Sequence, residues 1–489
     1  MDITTCLLGV GLILIVYWFF SRTDQRLPPY PSRPLPVIGH MLTVNDDLRP
    51  QFKKWRKELG DIFSLKMGGT LVVVLNGYDL MKEVLIKRAD EFSERAMFFM
   101  DLVSGSPGKG ITFANGQNWK ENRSVTLSIL REFGMGKNVL AEKIQSEVVC
   151  YMDYISRLDG QATNMQVVTN MSIANVICAF IVGDRFDYDD TTFQTLMSRI
   201  RAITGDQTTT TLVNFFPVLN KLPGDFFGGK MMASNMQKVA DLFRTKFIGR
   251  HNDDETNNFV AAYLSQMKKK LSGGQTTLLD EDNLVKIMLE LFLAGGGTTS
   301  TSLLWCYIYA LSYQDVQEKI YKEIEEEIGT VRVPTMQDRT KLVYLNAFLN
   351  EVARISSLAA HSFAHSNKTD TEIRGYRIPK GSFIVPNLDS IHFDKKIWGQ
   401  DVMAFKPERF IDSEGKLKNP EELVPFGIGR RICMGESMTK MIQFLMMASL
   451  IQRFKILPSD PKSPPPIKYE FGLDVAPAPF EVRFVDRRK

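Results

Sequence analysis

The chain has 489 residues, 44% of them hydrophobic and 24% charged, with 60 Lys+Arg against 56 Asp+Glu for a formal net charge of +4. That length can bury a large core, and so small a net charge gives no reason to expect nucleic acid, whose phosphates need a concentrated basic face. Five cysteines (Cys6, Cys150, Cys178, Cys306, Cys433), odd in number and far apart, make neither a disulfide framework nor a paired C-x-x-C metal site, and fit a reducing, cytosol-facing compartment.

In chain order, the first predicted element is "CLLGVGLILIVYWFF", Cys6 to Phe20, 15 residues without a charge and lengthened by Ile3, Thr4 and Thr5 towards the ~20 that a spanning helix uses. Tyr17 and Trp18 sit at one end, where amphipathic rings favour the interface. A cleaved signal peptide would want a basic start and a small-residue cleavage site; here Asp2 precedes the run, and Arg22 and Arg26 follow it. Residues 1–21 therefore read as an uncleaved signal-anchor helix, with the arginines holding the remainder on the cytoplasmic side. The sequons at Asn122, Asn170 and Asn367 then face the wrong compartment for glycosylation. "LPPYPSRPLPVIG", Leu27 to Gly39, carries five prolines and is stiff and extended. Residues 22–39 are expected to be a hinge that fixes the body's angle to the bilayer, and 40–489, with no further clean linker, one large domain.

That domain reads as mainly α with small β-sheets. "IFSLKMGGTLVVVLNG" and "TEIRGYRIPKGSFIVPN" carry hairpin signals. Helical periodicity covers much of Gln117–Leu158, Met165–Val182, Asn235–Leu271, Glu281–Tyr313, Gln314–Ile328, Leu342–Ile355 and Ser437–Arg453. The run from Asn283 to Tyr313 is apolar enough for a second membrane span, but Lys286 and Glu290 argue against one. At its centre "AGGGTTSTS" spends three successive glycines inside a helix, each costing about 1 kcal/mol relative to alanine. "NEVAR" sets Glu351 and Arg354 three apart on one helical face, where such a pair is ordinarily a solvated one.

Near the end, "PFGIGRRICMGESM" places Cys433 in a glycine-broken loop with Arg430 and Arg431 before it and a helix opening after it. Backbone amides, a helix N-terminus and nearby cations all favour thiolate over thiol. A cysteine nucleophile would want a histidine, and the segment has none; an inert buried cysteine would not need these surroundings. A thiolate metal ligand remains, and with no second cysteine or histidine at ligand spacing the metal must bring most of its own ligands, which means haem.

Phe426, Gly429, Arg431, Cys433 and Gly435 match F-x-x-G-x-R-x-C-x-G, the signature of the cytochromes P-450. The chain resembles that family over essentially its whole length and is most similar to the animal microsomal, family-two-like branch. "KGITFANGQNWKENR", "FGMGK", "NFFPVLNKLPG", "IPKGSFIVPNLDSIHFDKKIWG" and "FKPERF" all look like that branch. The resemblance implies a cytochrome P-450 fold behind a membrane anchor in the endoplasmic reticulum, with the catalytic domain on the cytoplasmic face. It implies haem b with Cys433 as axial thiolate, and Trp119, Arg123, His365 and Arg431 at the haem propionates, whose buried carboxylates need cationic or donor partners. Phe426, Gly435 and Ala294 are the remaining haem-contact positions. Glu351, Arg354 and Arg409 are implied to form a buried structural network behind the haem. In the central helix Thr298 is implied to hold the proton-delivery network. The usual pattern there is A-G-x-(D/E)-T, so Gly297 stands where an acid is expected; water or the Thr299 hydroxyl would have to stand in for it.

By family position the substrate pocket draws on Phe98, Phe99, Leu293, Ala360, Phe363 and Phe471, mostly apolar, which suits a lipophilic ligand. Ala360 and Ala364 stand where relatives usually have prolines. Implied partners are NADPH-cytochrome P-450 reductase, docking near Lys120, Lys137, Arg430 and Lys440, with cytochrome b5 as a second electron donor, and O2; no nucleic acid is expected. Two functions stay open: a monooxygenase inserting one atom of O2 into a lipophilic molecule, or, given Gly297, an isomerase or lyase acting on a lipid peroxide or a non-catalytic haem-binding protein.

Overall fold

The structure, a computed structural model, describes residues 2–20, 24–133, 139–203, 212–249 and 258–489. Helix α1 (Ile3–Phe20) leaves Leu7, Leu8, Leu12 and Ile13 exposed, an apolar surface that a helix packed on the body would bury. The proline segment behind it is docked. Pro28 O accepts from Ser64 Oγ at 2.7 Å, and Pro29 O accepts from Ser64 N at 2.9 Å.

The body begins with α2 (Leu48–Leu59), capped by Asp47, whose carboxylate accepts from Arg49 N. Strands β1 (Ile62–Met67), β2 (Thr70–Asn76) and the two-residue β3 (Glu94–Arg95) follow. The longer helices of the described residues that follow are α3 (Gly116–Arg131), α4 (Val139–Arg157), α5 (Gln166–Ile181), α6 (Thr191–Ile203), α7 (Gly229–Leu242), α8 (Phe259–Ser272), α9 (Glu281–Ser312), α10 (Gln314–Glu327) and α11 (Val343–Ser356). The C-terminal part holds β4 (His365–Ser366), β5 (Thr371–Ile373), β6 (Tyr376–Ile378), β7 (Phe383–Asn387), α12 (Glu436–Arg453), β8 (Phe454–Pro458), β9 (Tyr469–Phe471), β10 (Val475–Pro477) and β11 (Val482–Asp486). Five strands make one sheet in the order β1-β2-β7-β4-β3, and the other strands form two-stranded pairs.

Several predicted spans change. Gln117–Leu158 is two helices, α3 and α4, and residues 134–138, with most of "FGMGK" and Lys137, lie outside the described residues. Asn235–Leu271 holds parts of α7 and α8, with 250–257 likewise outside. The second hairpin closes only between β5 and β6, while β7 leaves it to pair in parallel with β2; a parallel partner so distant in sequence leaves no local turn signal. The unpredicted α2 buries only Phe52 and Trp55, too few apolar marks to show a period.

Helix α9 is the axis of the body. Its length and composition would allow it to cross a membrane, but Phe292, Leu303, Tyr307 and Leu311 are buried in the main core among side chains of α4, α5 and α12. Even its lysine is satisfied inside, Lys286 pairing with Asp101 at 3.1 Å. Two of the three sequon side chains, Asn122 and Asn367, are buried too, and Asn122 Oδ1 accepts from Tyr263 at 2.6 Å; neither side chain is free to carry a glycan.

Candidate haem site

The loop before α12 is shaped by its glycines. Gly429 has φ +80, and a Cβ there would collide with the Leu85 carbonyl, so only glycine lets the two backbones touch. Cys433 N donates to Phe426 O at 3.0 Å, folding the loop back on itself. The Cys433 side chain faces open space although it lies deep in the protein. Burial pushes its thiol above the ordinary value, while the amides of Gly435 and Glu436 and the Arg123 guanidinium pull the other way.

The two arginines beside it do not play the part their spacing predicts. Arg430 is ion-paired with Asp90. Arg431 points away from the sulfur: Nε donates to Ser93 O (2.8 Å), Nη1 to Ile111 O (3.0 Å), and Nη2 to Ala114 O (2.8 Å) and Asn115 Oδ1 (3.1 Å). With most of its donors spent on these acceptors, Arg431 ties the cysteine loop to the 93–115 segment, and the amides, not this arginine pair, carry the electrostatics at sulfur.

Opposite lies α9. It touches α12 where Thr299 Oγ1 and Thr439 Oγ1 are 3.3 Å apart, which brings the triple-glycine stretch to the same part of the molecule as the cysteine loop. Ala294 and Gly297 are exposed and Thr298 half-exposed in a helix otherwise mostly buried, so this stripe, like the Cys433 side chain, is open although it lies within the fold. Thr298 Oγ1 donates to Ala294 O at 2.5 Å, and Ser300 Oγ to Gly296 O and Gly297 O at 2.8 Å each. Among the three glycines only Gly295 is held by a neighbour, Ile177 Cδ1 standing 2.9 Å from where its Cβ would be; Gly296 and Gly297 have room for a side chain. The Thr299 side chain, expected to stand in for the missing acid, is buried and turned to Thr439 of α12, off the open stripe.

A cationic end completes the site, and it includes a residue that the motifs missed. Arg95 on β3 is the cross-strand partner of His365 on β4. Its Nη1 donates to Phe363 O at 2.6 Å, while Nε is buried without a partner, as is the Trp119 indole N–H. The Arg431 guanidinium stacks 3.8 Å from the Trp119 ring centroid, and Arg123 Nη2 donates to Ile432 O at 2.6 Å. Burial, then repulsion from the neighbouring guanidinium groups, pushes Arg95 and Arg431 down to about 9. His365 Nδ1 donates to Phe92 O at 2.8 Å, and burial with Arg95 and Arg431 nearby pushes it down to about 3, so a second proton there needs an anion beside it. No carboxylate among the described residues forms an ion pair with Arg95, Arg123 or Arg431. Clustered buried cations and two orphaned N–H donors, facing a cleft with a cysteine on its wall, fit a planar ligand bearing two carboxylates.

Behind the loop, the Glu351 carboxylate accepts from Arg354 Nε (2.7 Å) and Nη2 (2.8 Å) and from Arg409 Nε (3.3 Å), all three residues being buried or nearly so. Arg354 Nη1 donates to His392 O at 2.9 Å, and His392 Nε2 accepts from Val424 N at 3.3 Å, linking this network to the start of the cysteine loop. Of the pocket candidates, Phe98 packs with Phe113 (5.4 Å between centroids), Phe363 (6.4 Å) and Phe383 (5.8 Å), and Phe363 is 40% exposed. Leu293 and Phe471 are half-buried. Phe99 and Ala360 are corrected: both are buried, the Phe99 ring beneath Gly229 at the start of α7, and they pack the wall without presenting surface to the open space.

A thiol facing a glycine-opened helix, with a buried cationic end, defines a haem-thiolate protein. The family model for Cytochrome P450 matches residues 28–484, and the chain belongs to that family, whose members are monooxygenase oxidoreductases holding haem b on a cysteine thiolate. Within it the chain is similar to animal family-two proteins: 34% identical to Cytochrome P450 2U1 of Bos taurus over 97% of this chain and 93% of that one, 34% to Cytochrome P450 2C3 of Oryctolagus cuniculus (98% and 99%), and 33% to Cytochrome P450 2J2 of Homo sapiens (97% and 94%).

Proposed function

We propose that this protein is a monooxygenase of the endoplasmic-reticulum membrane that inserts one atom of O2 into a lipophilic small molecule, drawing electrons from NADPH through a flavoprotein reductase, with cytochrome b5 as a second donor. Residues 1–21 serve as the anchor, 22–39 as a docked connector and 40–489 as the catalytic domain. When bound, the thiolate-ligated haem supplies binding and cleavage of dioxygen. The chain's own part is to hold it and to manage protons and water around it. Cys433 offers the sulfur under the Gly435 and Glu436 amides; Arg95, Trp119, Arg123 and His365 face its carboxylates; Phe426, Gly435 and Ala294 border it. Thr298 carries the reading. Its hydroxyl, parked on Ala294 O at 2.5 Å, lies on the open stripe where it can turn to hold a proton-bearing water in the gap left by Gly297.

The space at Gly297 equally supports a second reading, an isomerase or lyase that takes an already oxidised lipid peroxide and needs no external protons or electrons, or a haem-binding protein without catalysis. NADPH consumption with purified reductase and a lipophilic substrate screen separates them: substrate-dependent consumption is expected, and turnover of a lipid hydroperoxide with no NADPH use would replace the monooxygenase reading. For the reductase, Lys120, Arg430 and Lys440 form the proposed docking face. Arg430 and Lys440 already pair with Asp90 and Glu436, so their contribution is a salt-sensitive association rate more than affinity.

A further inference from the structure

The turn between β9 and β10, closed by Gly472 N donating to Asp474 O at 3.1 Å, brings a carboxylate to the open stripe of α9. Two bonds fix the turn there: Trp305 Nε1 donates to Val475 O at 2.8 Å, and Val475 N to Leu358 O at 2.8 Å. Gly297, Thr301 and Trp305 follow at four-residue spacing and share one helical face, so the residue before Val475 meets the helix one turn from the triple glycine. Asp474 does so beside Thr301: burial pushes its carboxyl pKa up, while the nearby Thr301 hydroxyl and its own backbone amide pull the other way. It is half-buried, and no Lys or Arg among the described residues forms an ion pair with it. The turn around it is largely apolar: Leu473, 49% exposed, precedes it, and Phe471 and Leu358, the latter bonded through its carbonyl to Val475 N, pack on the main core. The other acid on this side, Glu290, is already engaged, its oxygens accepting from Ile111 N (2.8 Å) and Thr112 N (3.2 Å) with Lys286 alongside, so it latches that loop to α9.

We propose that Asp474 is the polar anchor of the substrate site and selects lipophilic molecules that carry a protonated amine, whose N–H is received by its carboxylate while the apolar remainder lies along α9 towards Gly297. A carboxylate in an apolar wall is costly unless something pairs with it, and a cationic ligand supplies that partner. This inference rests on the monooxygenase reading of the cleft.

The test uses the full-length, haem-loaded protein and binding difference spectra with a matched pair of ligands: an arylalkyl tertiary amine, protonated at neutral pH, and its isostere with carbon in place of nitrogen. The amine is expected to bind the wild type roughly tenfold or more tighter than the isostere, as one charge-assisted hydrogen bond allows. Asp474→Asn should bring the two affinities within about twofold of each other, and Asp474→Glu should keep part of the preference. An unchanged preference in Asp474→Asn overturns the proposal, as does a wild-type spectrum of nitrogen on iron, which would place the amine at the haem and not at the turn. Ferrous carbon monoxide spectra of the same preparations keep the two claims apart: a thiolate-type band in every variant leaves only the anchor in question, whereas its absence in the wild type would sink the haem-thiolate reading itself.

Discussion

Gly297 and Arg95 mark opposite ends of what a single residue decides in this site. With nothing within 4 Å of a Cβ at Gly297, Gly297→Asp or Gly297→Glu fits without a clash and restores a carboxyl group beside Thr298. Product formed per NADPH consumed should rise and hydrogen peroxide leakage should fall; a wild type that already couples tightly, with no gain from the acid, would show that water alone runs the relay. Glycine replacement also steadies the helix by up to ~1 kcal/mol, so coupling is the quantity to compare. At Arg95, the unpartnered Nε predicts that Arg95→Ala loses a charge-assisted bond to the haem, weakening retention roughly 10- to 100-fold. Haem transfer to an apo-globin acceptor measures this, and unchanged loss rates would assign Arg95 to the Phe363 carbonyl alone. Cys433 was legible from its own loop, whereas Arg95 was not: it sits in no motif, and its meaning comes from pairing with His365, some 270 positions away, through strands of two residues each.

At the scale of elements, the tie between α11 and the turn at Pro407–Phe410 is the clearest device. Glu351 and Arg354 are both fully buried, so removing one leaves an uncompensated charge inside. Glu351→Gln should destabilise the protein by about 3–5 kcal/mol, and a double change to apolar residues of similar volume should cost less than either single change; thermal unfolding of the singles and the double checks both statements, and strictly additive losses would contradict the coupling. The helical spacing of this pair could be read directly, and its partner Arg409 came from resemblance, but the onward link through His392 to Val424 N is tertiary and left no trace in the pattern. Helix α9 was legible nearly end to end because its apolar run is long and bounded by Asp280, an N-cap accepting from Asn283 N at 2.7 Å. The turn that carries Asp474 was not, since strands of three residues are too short to show a period.

For the whole molecule, buried histidines set the acid limit of stability. His361 lies edge-on to Phe52 and Phe471, and burial, then Arg49, pushes it down to about 4. His392 is pushed down to about 3 by burial, Arg354 and Arg49. Both take a proton near 6.5 when unfolded, so the unfolded chain binds protons that the folded one refuses. Their contribution is complete above pH ~6.5 and is lost as pH falls towards the folded values; His365, pushed down to about 3, adds a third refused proton, while Glu290, pushed up to about 7 by burial, takes one up in the opposite sense, so the net slope is up to ~2.7 kcal/mol per pH unit between about pH 6 and pH 4.5. Denaturant unfolding across that range should show the slope, and it should flatten by half in His392→Gln; a flat profile from pH 7 to pH 5 would contradict it. The global topology was the least legible level, because the parallel β2–β7 pairing joins segments some 310 residues apart. What unites the levels is the claim that Cys433 holds a haem by its thiolate, facing the opened stripe of α9. The ferrous carbon monoxide difference spectrum of the purified protein tests it most directly: a strongly red-shifted Soret band, lost in Cys433→Ala, is the predicted result, and a wild-type band at the position given by histidine ligation would contradict the account.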